Sequence, residues 1–65
     1  MKVRAFIRLL ERNNFVLIRQ RGSHRQFRKP GHPYVVTVAG KPSDEIDRGT
    51  LSNMLRQAGL TRDDM

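Results

Sequence analysis

The sequence predicts a single α+β domain over residues 1–65, in the order α-β-β-β-α, with a three-stranded antiparallel sheet and both helices packed on one of its faces. Three observations carry this reading. Apolar residues recur at helical spacing near both ends of the chain, and three runs rich in β-branched and aromatic side chains lie between them. The connections between those runs are short, which suits a meander and is too little chain for parallel crossovers. Two amphipathic helices and one small sheet bury their apolar surfaces most simply with both helices on the same face, which leaves the other face open.

Val3, Phe6, Ile7 and Leu10 share one stripe of a helix spanning about residues 2–12, which Asn13-Asn14 breaks because asparagine tolerates left-handed backbone. Phe15-Val16-Leu17-Ile18 opens a strand reaching to about Gln20. Its apolar run is continuous, so only one of the pairs Phe15/Leu17 and Val16/Ile18 meets the helices, and the other lies on the open face. Arg21-Gly22-Ser23 forms a tight connection in which Gly22 accepts positive φ. The second strand covers His24 to Lys29, Pro30-Gly31-His32-Pro33 makes a turn, and Tyr34 to Val38 is the third strand. After a loop from Ala39 to about Asp47, the residues Leu51, Met54, Leu55 and Ala58 repeat the helical stripe. Asp47 or Thr50 caps its start and Gly59 ends it. Thr61-Arg62-Asp63-Asp64 has the pattern of one further capped turn.

The net charge is +7 and the pI near 11.4. Residues 1–41 hold ten Lys and Arg against one acidic residue, and the remainder holds three Arg against five. A basic region of this kind gains free energy by displacing counterions from phosphates, so the expected partner is a nucleic acid. No apolar stretch approaches the roughly 20 residues of a membrane span. With no cysteine there are neither disulfides nor a thiolate zinc site, and a cytoplasmic location is expected.

Cleaving RNA without a metal takes a group that accepts a proton from the attacking oxygen, donors that stabilise the phosphorane and a group that protonates the leaving oxygen. Histidine is suited to the proton transfers because it exchanges protons near neutral pH. His24 stands between Arg21 and Arg25, so strand alternation places it with Gln26 and Arg28 on the open face if Phe27 points to the helices; Ser23, Arg25 and Lys29 then share the Phe27 side. The competing reading of His24 is a polar hairpin residue, and Gly-Ser-His alone is a short motif. His32 belongs to a turn tip. The acidic residues Asp44, Glu45 and Asp47 read as loop solvation and helix N-terminal charge, so no metal or other cofactor is expected. Phe6 and Phe27 read as core, and Tyr34 either stacks on a base or edges the sheet.

The first helix, Phe15-Val16-Leu17-Ile18-Arg19-Gln20-Arg21-Gly22-Ser23-His24, the strand end Val36-Thr37-Val38, and Arg48-Gly49-Thr50-Leu51 running into Gln57-Ala58-Gly59-Leu60 together resemble the HicA family, toxins of toxin-antitoxin pairs. The resemblance spans nearly the whole chain. It implies a fold like the double-stranded RNA-binding domain, an mRNA-cleaving activity with His24 as its catalytic histidine, and a HicB-type antitoxin that masks the site. Arg21, Gly22 and Ser23 match the family's hairpin leading to that histidine. The chain departs from the commoner pattern at Ala39 and Lys41, where proline and histidine are more usual.

The function expected from residues and resemblance together is a metal-independent endoribonuclease. In it His24 is general base or acid, and Arg21, Gly22, Ser23, Arg25, Arg28 and Lys29 bind the RNA. DNA is reached only through the antitoxin complex. A non-catalytic RNA-binding module and an interaction subunit of a DNA-bound repressor are the alternatives.

Overall fold

The computed structural model describes all 65 residues. The order is α1 (Val3–Arg12), β1 (Val16–Arg21), β2 (His24–Arg28), β3 (Val36–Val38), α2 (Arg48–Ala58) and a final 3₁₀ turn (Arg62–Asp64). The strands form one antiparallel sheet in the order β1-β2-β3. This is the expected α+β arrangement.

Helix α1 buries Val3, Phe6, Leu9 and Leu10. Its buried arc therefore extends to Leu9 on one flank, while Ile7 on the other flank is half-exposed. The first turn contains no acidic residue and Lys2 makes no side-chain cap. Its free amides are met from elsewhere: the Val3 N–H donates to the Asp44 carbonyl at 2.9 Å and the Arg4 N–H to that of Pro42 at 3.0 Å.

Both helices stop in the same way. Asn14 takes φ 70°, its N–H donates to the Glu11 carbonyl and the Phe15 N–H to that of Leu10, while buried Phe15 and Leu10 supply the accompanying apolar contact. At the end of α2, Gly59 takes φ 69° with its N–H on the Arg56 carbonyl and the Leu60 N–H on that of Leu55. Asn13-Asn14 and Gly59 thus end the helices as the sequence predicts.

Asp47 caps α2, accepting from the Thr50 N–H at 2.9 Å and from the Thr50 hydroxyl at 2.8 Å. The Thr50 backbone bond foremost, then its hydroxyl, holds the Asp47 carboxyl below its ordinary range. The other acidic residues of this loop also have local partners: the Lys41 N–H donates to Asp44, and Glu45 pairs with the N-terminal amine. Thr61 and Asp64 complete a capping box around the last turn.

Twelve apolar residues form the core, drawn from both helices, from Phe15 and from Phe27, Val36 and Val38 of the sheet. No polar side chain is buried. Both helices therefore cover the face that carries Phe27, and the opposite face is bare. Strand β3 begins at Val36, two residues later than expected, because the last ladder pair is Phe27 with Val36. Beyond it the chain leaves the sheet in the turn closed by the His32 N–H on the Lys29 carbonyl, so Lys29, Tyr34 and Val35 lie outside the strands.

Candidate nucleic-acid site on the open sheet face

Strands β1 and β2 are joined by the two residues Gly22 and Ser23, with Arg21 paired directly to His24 across the closure. Gly22 takes φ 59° whereas Ser23 does not adopt positive φ, the pattern of a type II′ turn. A methyl group on Gly22 would touch nothing, so glycine is required there by the backbone and not by space.

Paired residues of an antiparallel ladder share a face. Arg21 opposite His24 and Arg19 opposite Gln26 therefore stand on the bare face, while Gln20 opposite Arg25 and Leu17 opposite Phe27 stand on the helix side. These two sets have conflicting parity. Counted back from the turn, strict alternation would put Leu17 and Phe15 on the bare face; the core claims Phe15, which is 2% exposed. The conflict is resolved by a bulge between Leu17 and Arg19, in which Ile18 is the extra residue without a partner. The bulge lets the start of the strand serve the core and its end serve the site.

As a result Arg19, Arg21, His24 and Gln26 line one shallow depression of about 270 Å³. Thr37, paired to Gln26, is on the same face, as is Arg28, paired to Val16. No carboxylate belongs to this set, and the one ion pair in the chain is the distant contact of the N-terminus with Glu45. The three arginines are thus exposed and unneutralised around an exposed His24.

The remaining expected site residues are divided. Arg25 lies on the helix side, half-buried, with Nη1 donating to the Gly40 carbonyl at 3.0 Å and to that of Ser23 at 3.4 Å. It braces the hairpin against the loop after β3. Lys29 lies beyond the end of β2 with its Nζ over the Phe15 ring, 5.5 Å from the centroid. Gln26 stands on the open face as alternation predicts, though the sequence assigns it no site role, and Arg19 was not expected at the site. The signal was present in the two-residue turn, since closing it with Arg21 opposite His24 sets Arg19 opposite Gln26.

His32 is a structural residue, in line with its turn position. Its Nε2–H donates to the Gln57 carbonyl at 2.7 Å, and its ring stands edge-on to Phe15 and Tyr34 with centroids 5.3 and 5.9 Å away. It packs the turn against the last turn of α2, where a Cβ on Gly59 would come within 3.2 Å of it. Tyr34, 58% exposed, lies beside Asn53, Arg56 and Gln57 of α2. No three metal-ligating side chains come together in the chain, and no helix is long and apolar enough to cross a membrane.

Comparison with curated proteins yields no match. The family described as the HicA toxin of bacterial toxin-antitoxin systems matches residues 3–60, which include both helices, all three strands and the whole arginine-histidine face, so the chain belongs to the HicA toxin family.

Proposed function

We propose that this toxin acts by cleaving mRNA, as a metal-independent endoribonuclease with His24 as its proton-transfer residue. The observation that carries the reading is the pairing of His24 with Arg21, beside Arg19, in a depression without carboxylates. Such a site attracts a phosphodiester and leaves an imidazole free to meet it. One His24 nitrogen accepts the proton of the attacking oxygen as the new P–O bond forms, and the guanidinium groups of Arg19 and Arg21 take up the charge growing on the phosphorane oxygens. The P–O bond to the leaving oxygen breaks, and that oxygen takes its proton from water or from the protonated His24.

Arg28 and Lys29 hold phosphates further along the strand, Gly22 and Ser23 shape the approach, and Arg25 supports the hairpin through its carbonyl contacts. A HicB-type antitoxin of acidic character blocks the site by covering the bare face, and its complex provides any contact with DNA. The expected working place is the cytoplasm.

The test is cleavage of a defined RNA in the presence of a chelator by the wild type and by His24→Ala. Loss of a single proton-transfer group lowers the rate about 10²- to 10⁴-fold. Equal cleavage by the two proteins would remove His24 from the chemistry. Intact RNA with both, together with binding that weakens in Arg19→Ala and Arg21→Ala, would make the chain a binding module.

A further inference from the structure

A second depression of about 380 Å³ lies at the other end of β1 and β2, with Val16, Ile18, Arg28, Lys29 and the turn 30–32 around it. It owes its floor to the bulge, which sets Ile18 and Val16 together on this side although neither helps the core; they are 52% and 59% exposed. Arg28 follows Gln26 on the same side of β2, and Ile18 adjoins Arg19 in β1, so the two depressions are neighbours along the strands, each with its own lining residues. At about 3.3 Å per residue, Arg28 lies roughly 13 Å along the strand from His24. A stacked strand advances about 3.4 Å per nucleotide and an extended one roughly twice that, so this span corresponds to two to four nucleotides.

We propose that this second depression is a base-binding subsite for single-stranded RNA, receiving a nucleobase two to four nucleotides from the bond at His24. Three features fit a base and its flanking phosphates. The floor is two branched aliphatic side chains, which suit the apolar face of a ring. The rim carries Arg28 and Lys29, which continue the line of cations from Arg21 and Arg19 without an intervening carboxylate. Pro30 and Gly31 border the same hollow, and the Gly31 N–H and the Pro30 carbonyl make no hydrogen bond within the chain, so the turn at its edge has a free backbone donor and a free acceptor to offer a base. The volume also falls in the range of about 300–1,000 Å³ typical of sites for small ligands. Strung phosphates match this narrow line of charge better than a broad protein surface does. The subsite rests on the RNA-cleaving reading for its position relative to the cut, and not for its capacity to bind.

The experiment titrates fluorescent single-stranded hexaribonucleotides, one for each base, together with an abasic hexamer of equal phosphate number, into His24→Ala. The same titrations are made with the double variant His24→Ala/Ile18→Ala. Since Ile18 is half-exposed and outside the core, the fold persists, which thermal melting verifies. Affinity for the best-bound base falls about fivefold on loss of roughly 40 Å² of apolar contact, and preference among bases flattens. Affinity for the abasic chain stays the same. An equal fall for base-bearing and abasic chains, or no change in base preference, overturns the subsite. So does unaltered RNA binding accompanied by weakened antitoxin binding, which would give the hollow to the protein partner.

Cleavage by the wild type and by Ile18→Ala, measured in parallel, separates the two readings. Base-dependent loss of binding without any wild-type cleavage leaves the subsite standing and the nuclease fallen. His24-dependent cleavage with unaltered base preference does the reverse.

Discussion

At the scale of single residues, the arginines of the hairpin are not equivalent, although sequence neighbours make them look so. Arg21 and Arg25 flank His24 at −3 and +1, yet Arg21 shares its face and Arg25 points the other way to the Gly40 carbonyl. Arg25→Ala leaves that carbonyl without its charged donor, and a lost hydrogen bond of this kind costs about 1 kcal/mol. The expected result is a lower melting temperature with the salt dependence of RNA binding retained, measured by denaturation and by titration at several ionic strengths. A steep loss of that salt dependence would place Arg25 on the phosphates after all. Asp47 governs a different property. Its carboxyl is held below its ordinary range by Thr50, so its capping contribution is present above the unfolded value of about 3.9 and is lost as pH falls through the folded value. Thermal melts from pH 5 down to pH 2 should therefore decline more steeply for the wild type than for Asp47→Asn, which caps without titrating.

At the scale of elements, the bulge in β1 decides which arginines reach the site, and deletions test it. Removing Ile18 leaves every observed pairing intact, because Ile18 is the residue without a partner. Removing Gln20 also straightens the ladder, but then Arg19 falls opposite Arg25 on the helix side and Ile18 falls opposite Gln26. Both variants should fold. The deletion of Gln20 alone should lose one phosphate contact, lowering the slope of log affinity against log salt for single-stranded RNA by about 0.7. Equal slopes for the two deletions would show that the bulge does not set the placement of Arg19. The helices were legible in the sequence because their period, the Asp47 cap and the stops at Asn14 and Gly59 all agree. The bulge was not, since the turn at Gly22 and the burial of Phe15 each imply a clear parity and their conflict shows only when the register is known. Alternation alone did place His24, Gln26 and Arg28 correctly, because β2 runs without interruption from the turn to Phe27.

At the scale of the whole molecule, not all of the +7 charge lies at the site. Arg4, Arg8 and Arg12 are spaced four apart on the exposed side of α1, which packs on the opposite face of the sheet from His24. The molecule measures 29 × 29 × 18 Å, and this size decides what such distant charges do. In about 0.01 M salt the screening length is roughly 30 Å, longer than the molecule is thick, so the field of α1 adds to that of the hairpin. In about 0.15 M salt it is roughly 8 Å, and only charges close to the RNA are felt. The triple variant Arg4→Gln/Arg8→Gln/Arg12→Gln should therefore bind RNA severalfold more slowly than the wild type in dilute salt, with the same dissociation rate, and the difference should vanish near physiological salt. Stopped-flow association at the two ionic strengths measures this directly. A deficit that persists in 0.15 M salt and appears in the dissociation rate would mean that α1 touches the RNA itself, so that the ligand wraps around the domain instead of lying along its bare sheet face.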